Sequence, residues 1–392
     1  MTFRLHGRPL AAPSVLRDGT HRAATLAATW RRFSPAAEPA GITRLAELTG
    51  LDTLGIPVWA AVRPMGKSLS TQQGKGISRD AARISALMES LETWTAENIA
   101  LPTIRASAKA LGPRAVDVRR IPRPAPRRRL DRDQRWRWVE GWDLVGDRAV
   151  LVPLEAVTLD TTFTRPPVFD ISSNGLASGN VLVEAVVHGL CEVLERHAEA
   201  AWRRAGGDRR IVLDTIDDPV CRMLIDQVTE AGARIFVWDL EGPIPTAGCA
   251  IMEDPREPAW RALGFYQGFG AHLSPAVAVA RAITEAAQTR LTYIAGARDD
   301  FFGFDYAKAT DPELLGELWD RLAAPCEEPA LFGELPRAVT RGLGEDLEAL
   351  VAACLEHGGR QVIAVDLTHE ALGVPVVKVI VPGFATDVEA MG

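Results

Sequence analysis

Acidic side chains recur at helical spacing on the apolar faces of three segments of the chain. Within each segment, polar residues lie three or four positions apart, so they share one face of a helix. These residues are Ser85, Glu89 and Glu92 in the first segment, Glu184, His188, Glu192 and Glu195 in the second, and Arg281, Glu285 and Gln288 in the third. Their neighbours are mostly small or apolar, whereas a solvated face normally mixes lysine with glutamate. The pattern predicts that the acids are withdrawn from bulk water.

The acids of these segments outnumber the cations beside them. A buried carboxylate is costly unless a cation or a hydrogen-bond donor faces it. Arg196 and Arg281 cannot neutralise the six glutamates, and hard Mg²⁺ prefers carboxylates together with phosphate oxygens. A divalent metal is therefore the predicted counter-charge. The alternative makes the acids exposed helix glutamates or partners of nearby arginines, and the repetition on three helices disfavours it.

Glycine-bearing segments precede two of these helices: QQGKGISRD before the first and SSNGLASGN before the second. Backbone amides where a loop enters a helix can hold phosphate, and Lys75 would add a point charge. Neither segment has the pattern of a Walker A loop or of a GxGxxG dinucleotide loop. The sequence thus predicts a nucleotide and metal site that is not a P-loop.

The elements that must position these residues are interspersed helices and strands. Helical periodicity predicts helices over 23–33, 78–98, 180–204, 221–232 and 275–295. Apolar and β-branched runs predict strands over 56–62, 135–144, 148–157, 233–240, 360–368 and 374–383. No regular alternation of strand and helix and no internal repeat is visible, so the predicted fold class is α+β.

Composition excludes several classes of protein. The chain has 392 residues, of which 47% are hydrophobic, and a formal net charge of −7. Such a chain can bury a large core, which argues against disorder, and its net charge argues against a nucleic-acid partner. No apolar run is long enough to cross a bilayer, and the N-terminus does not resemble a secretory signal, so a cytoplasmic protein without membrane contact is expected. Five scattered cysteines are typical of reduced thiols.

The segments GKGISRDAARISALMESLE, SSNGLASGNVLVEAVVHGLCEVLER and ITEAAQTR…IAGARDD resemble the three signature blocks of the YcaO superfamily, in the same order. The resemblance spans about residues 41–383. It implies one large YcaO domain, with mixed sheets and long packed helices around a site for ATP and Mg²⁺. Residues 1–70 would form the N-terminal segment of that domain and 71–392 the remainder, with a Pro/Arg-rich surface loop at 114–133. That loop is expected to be a solvated connector, with docking of an acidic peptide as the alternative.

The resemblance also implies roles for individual residues. Magnesium would be ligated or oriented by Glu89, Glu92, Glu184, Glu192, Glu195 and Glu285. Phosphate would be contacted by Arg196 and Arg281, and the nucleotide site would be lined by Ser85 and Asn180, with Arg17 and Thr25 as further nucleotide contacts. His272 is the candidate general base, with His188 and His197 as alternatives.

YcaO enzymes use ATP to phosphorylate the oxygen of a peptide backbone amide, and the nucleophile that follows decides the product. A Cys, Ser or Thr side chain yields an azoline, an amine an amidine, and sulfide a thioamide. The chain ends VPGFATDVEAMG rather than in the proline-rich tail of azoline-forming members. It therefore resembles stand-alone members that act with a TfuA partner in thioamide formation, and a homodimer is expected. The alternatives are a cyclodehydratase with a separate leader-binding partner and a non-catalytic nucleotide-binding accessory protein.

Overall fold

The computed structural model describes residues 2–15, 19–123, 130–131, 133–162 and 166–385. Within these ranges the fold is α+β, as predicted, with antiparallel strand pairs and interspersed helices. The α-helices are α1 Leu26–Phe33, α2 Arg79–Glu97, α3 Ala108–Leu111, α4 Leu182–Ala205, α5 Pro219–Glu230, α6 Pro275–Ala295, α7 Gly303–Ala309, α8 Pro312–Ala323 and α9 Leu343–Glu356. The strands are β1 Arg4–Leu5, β2 Arg8–Pro9, β3 Arg44–Glu47, β4 Val58–Val62, β5 Thr71–Lys75, β6 Ile104–Ser107, β7 Arg135–Asp143, β8 Arg148–Pro153, β9 Leu176–Ser178, β10 Arg234–Asp239, β11 Thr246–Met252, β12 Tyr266–Ala271, β13 Ile363–Asp366 and β14 Val376–Ile380.

Three sheets carry the helices that hold the acids. Strands β3, β4 and β5 form one three-stranded sheet, and β10, β11 and β12 form another. A six-stranded sheet runs in the order β6, β7, β13, β14 and β9, with β8 paired to β7. Helix α2 packs on β5 and β4, α4 on β14 and β9, and α6 on β12 and β11. Each predicted acid-bearing helix therefore lies against a sheet of its own.

Local sequence explains where these helices begin and end. The side chain of Ser78 caps α2 by accepting the N–H of Ala81, and Pro275 occupies the first turn of α6. Helices α4 and α6 end at Gly206 and Gly296, both in the left-handed conformation that glycine adopts without a steric penalty.

In two places, β5 against α2 and β12 against α6, a strand approaches the backbone of a helix in the same way. The sequence Gln-Gly-x-Gly begins inside both β5 and β12; its last glycine is Gly76, directly after β5, and Gly270, within β12. A Cβ at Gly74 would lie 1.9 Å from Ala86 N, and one at Gly268 would lie 2.2 Å from Ala286 N. In both units, glycine thus allows the strand to touch the helix backbone. The shared feature is a backbone approach that only four residues encode.

The structure also changes the interpretation of the first glycine-bearing segment, QQGKGISRD. Thr71–Lys75 is a strand, so the loop that enters α2 is limited to Gly76–Ser78. Part of the Pro/Arg-rich segment is anchored, because Val118 and Ile121 are buried, while residues 124–129 and 132 lie outside the described ranges.

In the part of the chain that the structure describes, no helix is both long and apolar enough to span a bilayer.

Candidate active site

Helices α2, α4 and α6 bring their acids into electrostatic contact. On α2, burial raises the pKa of Glu92 well above its ordinary value, and the charges of Glu89 and Glu192 raise it further. The N–H of Ser178, at the end of β9, donates to Glu92 Oε2 at 2.7 Å. Solvent reaches Glu89, but the surrounding protein still desolvates its carboxylate and raises the pKa to about 7, against the nearby cation Lys75. Glu92 of α2 therefore faces Glu192 of α4, and Glu89 of α2 faces Glu285 of α6.

Glu195 of α4 is held in the same way. It is 2% exposed, and its Oε2 accepts the N–H of Ala271, at the end of β12, at 2.9 Å. Burial raises its pKa to about 7, with a further rise from the charge of Glu285 on α6. Burial also raises the pKa of Glu192, and the cations Arg196 and Lys378 oppose this rise. Strand-end N–H groups thus fix one oxygen each of Glu92 and Glu195.

Glu285 is the acid with the most direct cationic partners. Lys75 Nζ lies 2.8 Å from its Oε2, and Arg196 Nη2 lies 3.9 Å from its Oε1. Burial raises the pKa of Glu285, but Lys75 and Arg196, with Arg281, outweigh burial and lower it overall. Arg196 also donates to Glu199 at 2.8 Å, so this guanidinium bridges α4 and α6.

Glu184 lies at the N-terminal end of α4 and connects the site to the start of the chain. The N–H of Ala23 donates to its Oε2 at 2.8 Å, and Asn180 Nδ2 donates to its Oε1 at 3.1 Å. Asn180 Oδ1 accepts the hydroxyl of Thr29 at 2.9 Å. Arg22 Nη1 is 3.7 Å from Glu184 Oε1. Asn180 is therefore engaged in protein contacts on both ends of its amide.

Two buried polar atoms of the site lack a hydrogen-bond partner among the residues that the structure describes. Arg281 Nε and Gln288 Oε1 are both buried and without a hydrogen bond within the described residues. An unpaired buried guanidinium nitrogen beside several acids fits a phosphate oxygen, and raised carboxyl pKa values fit a bound cation. The residues of this site therefore suit a nucleotide with Mg²⁺.

The glutamates do not form a metal cage by themselves. Across the described ranges, no three His, Cys, Asp or Glu side chains are grouped closely enough to hold a metal ion. Mg²⁺ commonly takes one or two carboxylates and completes its shell with phosphate oxygens and water, so a spaced set of acids is compatible with magnesium brought in with ATP. The assignment of the six glutamates as magnesium ligands stays a prediction.

His272 directly follows Ala271, whose N–H donates to Glu195. Its Nδ1 accepts the N–H of Ser274 at 3.0 Å, and its ring meets that of His21 edge to face at 4.5 Å. Burial lowers its pKa to about 3, and the neighbouring side chains of His21 and Arg281 lower it further. Burial, with Arg22 and Arg281, likewise places the pKa of His188 well below its ordinary value. A role for His272 as general base stays a prediction, and these surroundings make it a weak base.

The other predicted residues are dispersed. Ser85 is half-buried on α2, one turn before Glu89. Thr25 is exposed and caps α1 by accepting the N–H of Ala28, and Arg17 lies outside the described residues. His197 stacks on Phe384, with ring centroids 4.2 Å apart.

Sequence reasoning missed three cations of the site. Arg22 faces Glu184, Arg298 opposes the raised pKa of Glu89, and Lys378 acts on Glu192. Lys378 carried a signal in the sequence, since it is a single lysine inside the apolar strand VVKVI. Arg22 and Arg298 stand in segments with other arginines and acids, so only the fold distinguishes them.

Known proteins resemble this chain over most of its length. The family profile described as YcaO cyclodehydratase, ATP- and Mg²⁺-binding, matches residues 73–385. A protein of Rhizobium leguminosarum bv. trifolii, described as lying in the tfuA 3′ region, is 37% identical over 390 residues, which are 95% of this chain and 90% of the relative.

Two solved structures show the same fold. YcaO from Methanopyrus kandleri, bound with AMPPCP and Mg²⁺, has a TM-score of 0.77 and 26% identity, and the match covers 95% of both chains. A heterocyclase in complex with substrate and cofactor has a TM-score of 0.79 and 23% identity. That match covers 96% of this chain and 54% of the heterocyclase, so this chain spans about half its length. Family, fold and cofactors agree with the expectations from sequence, and the chain belongs to the YcaO family of ATP- and Mg²⁺-binding, peptide-modifying enzymes.

Proposed function

We propose that the chain uses Mg·ATP and sulfide to convert a peptide backbone amide into a thioamide. The observation that carries this choice of product is the relative described as lying in the tfuA 3′ region. A TfuA-like partner would deliver the sulfur, and the substrate would be a ribosomally made peptide or protein. The enzyme would act as a homodimer in the cytoplasm.

The chemistry requires activation because an amide carbonyl is a poor electrophile. The amide oxygen attacks the γ-phosphorus of ATP and ADP departs. Hydrosulfide then adds to the amide carbon, and the phosphorylated oxygen leaves as phosphate, so the product is C=S, ADP and phosphate. Magnesium supplies charge neutralisation on the phosphates during this transfer.

The chain's own residues position these reactants. The proposed ligands of magnesium are Glu89, Glu92, Glu184, Glu192, Glu195 and Glu285. Arg281, whose Nε has no protein partner within the described residues, would hold a phosphate oxygen together with Arg196. Lys75 would neutralise charge next to Glu285, to which it is bonded at 2.8 Å. Stabilisation of charge by fixed groups, rather than covalent catalysis, would lower the barrier.

A cyclodehydratase is the second candidate. The family profile carries that description, and the same phosphorylated amide would then be attacked by a neighbouring Cys, Ser or Thr side chain. An amide that gains sulfur exchanges one oxygen for sulfur, whereas an azoline loses one water. Mass spectrometry of the product therefore distinguishes the two reactions.

Binding of the nucleotide can be tested without knowing the peptide. We expect calorimetry to detect saturable binding of AMPPCP that requires Mg²⁺. Glu195→Gln should weaken binding while preserving the acceptor for the N–H of Ala271, and Arg281→Met should weaken it by removing the phosphate contact. Glu317→Gln is the matched control, because Glu317 is exposed on α8. A folded wild type that binds no Mg·AMPPCP, or equal binding by all variants, would contradict the proposed site.

The product is tested in cells that express a TfuA-like protein with either the wild-type chain or Glu195→Gln. We expect peptides whose mass shows exchange of oxygen for labelled sulfur only with the wild type. Loss of water instead of sulfur incorporation would establish cyclodehydration. Mg·AMPPCP binding with neither product would indicate the accessory role.

A further inference from the structure

A cavity lies between β14, α4 and residues 170–174. Its walls include the apolar side chains of Val193, Ile380 and Phe384. Its polar lining residues are Asp170, Ser172, Asn174 and Lys378. Val193 follows Glu192 on α4, so the cavity and the glutamate site share a helix. The cavity therefore adjoins the glutamate site, although its lining residues were not among those predicted from the sequence.

Lys378 is the cation of this cavity. It is 4% exposed, and its Nζ donates to the carbonyl oxygen of Ser172. Burial lowers its pKa to about 8, against the opposing charges of Glu192, Asp170 and Glu92. An ammonium group has three N–H donors, and the bond to Ser172 is its one hydrogen bond within the described residues. Donors thus remain available to a bound molecule.

Asn174 presents the complementary group. Its Oδ1 is buried and has no hydrogen-bond partner within the described part of the chain, although Asn174 lines the cavity. An unpaired buried acceptor costs free energy unless a ligand or water supplies a donor. The cavity therefore offers an ammonium donor and an amide acceptor between apolar walls.

We infer that this cavity binds the backbone amide that the enzyme modifies, with Lys378 donating to the amide oxygen and Asn174 accepting the amide N–H. A secondary amide is neutral and carries one acceptor and one donor, which matches the free groups of the cavity. An anionic ligand fits less well, because Asp170, Glu92 and Glu192 surround the lysine.

The role of the bound amide in catalysis rests on the proposed function, whereas binding of an amide to the cavity can be tested without it. Lys378 feels the charges of Glu92 and Glu192, so an amide oxygen at Lys378 would lie on the side of the cavity that faces the proposed phosphates. Lys378 would thereby hold the oxygen for attack on phosphorus. The apolar walls would contact the side chains next to the reacting amide.

The test uses two small amides as probes. N-methylacetamide has the N–H donor of a peptide, whereas N,N-dimethylacetamide lacks it. Each is titrated into the full chain with Mg·AMPPCP present, and NMR follows the methyl signals of Val193, Val379 and Ile380. We expect these signals to shift, and the dissociation constant of N-methylacetamide to be about three- to tenfold lower than that of the tertiary amide, the range for one neutral hydrogen bond.

Variants assign the two contacts. Asn174→Leu should bring the ratio of the two dissociation constants close to one, and Lys378→Met should weaken both probes by roughly tenfold. Ser173→Ala is the matched control, because Ser173 is an exposed neighbour on the same segment. Thermal unfolding checks that each variant is folded, and Asn174→Leu keeps the test valid if loss of the Lys378 charge prevents folding.

Several outcomes would overturn the inference. They are unshifted cavity methyl signals, equal affinity of the wild type for the two amides, and an unchanged ratio in Asn174→Leu. If Mg·AMPPCP binds while any of these is observed, the proposed nucleotide site stands and the amide site fails. If the probes bind as expected while no ATP-dependent product forms in cells, the amide site stands and the proposed reaction fails.

Discussion

At the scale of single residues, burial and local charge decide which groups of the site can carry a proton. The N–H of Ser274 is directed at Nδ1 of His272. The neighbouring side chains of His21, Arg281 and Arg22 lower the pKa of His272, while Asp346 raises it. Burial is the largest of these effects and holds the pKa near 3. The folded protein therefore keeps this imidazole neutral under conditions in which the unfolded chain would protonate it.

This difference predicts a pH dependence of stability. Below about pH 6.5, the unfolded state gains a proton at His272 that the folded state does not, so stability is lost as the pH falls towards 3. His272→Asn, which keeps an acceptor for Ser274, should remove this contribution. Between pH 6.5 and 4.5, we expect the free energy of unfolding of the wild type to fall by up to about 2–3 kcal/mol more than that of the variant. Urea unfolding at both pH values measures these free energies. Equal decreases in the wild type and in His272→Asn would contradict the prediction.

At the scale of elements, glycines set the distance between sheet and helix. Gly74 and Gly268 lie against the backbone of α2 and α6, so both helices approach their sheets more closely than a side chain would allow. Acid-bearing faces can converge only if these helices are held in place. Gly74, which lies in the glycine-bearing segment before α2, thus serves packing in the described structure, as Gly268 does before α6. Both glycines affect the site through the helices that they touch.

Alanine at either position should therefore disrupt the packing of a helix on its sheet. The added methyl would meet backbone atoms, which cannot rotate away, so Gly74→Ala and Gly268→Ala should each cost about 1–3 kcal/mol or more of stability. Gly50→Ala is the control, because no atom lies within 4 Å of the position that a Cβ would take there and its φ is not positive. Differential scanning fluorimetry should show a melting temperature several degrees lower for the first two variants only. If Gly74→Ala melted at the same temperature as the wild type, the close packing of β5 on α2 would not be needed for stability and the prediction would be wrong.

At the scale of the whole molecule, the first 70 residues share buried ion pairs with the rest of the chain. Arg290 of α6 is 0% exposed, and its Nε donates to Asp52 at 2.8 Å. Arg63 is 2% exposed and pairs with Glu97 of α2. Removing one member of a buried pair leaves an uncompensated charge, which costs about 3–5 kcal/mol. Each of these pairs joins the N-terminal segment to a helix that carries the site.

We therefore expect residues 71–392 to be unable to fold without residues 1–70. Truncation would leave Arg290 without Asp52 and Glu97 without Arg63, and it would remove β3 and β4 from beside β5. Circular dichroism during heating should show no cooperative transition for the fragment and a cooperative one for the full chain. A cooperative transition in the fragment, with Mg·AMPPCP binding, would show that the N-terminal segment is dispensable.

The acid-bearing helices could be predicted because their signal is local. Apolar residues at a period of 3.6, a capping serine and terminal glycines determine α2, α4 and α6 within a few residues of the observed bounds. The same period placed Glu89 with Glu92, and Glu192 with Glu195. The family motifs lie on these helices, so sequence was enough to indicate both the fold class and the kind of site.

Contacts between distant segments could not be predicted in this way. The pairing of Lys75 with Glu285, and of Ala23 with Glu184, joins residues far apart in the chain, and no periodicity encodes such a pair. The same holds for Asn174 and Lys378, which line one cavity. The sequence alone therefore determined which helices form and which acids share a face, because hydrogen bonds within a helix are local. Only the tertiary structure decided which cation meets which acid and where a cavity remains, because burial and long-range charge depend on how the sheets bring those helices together.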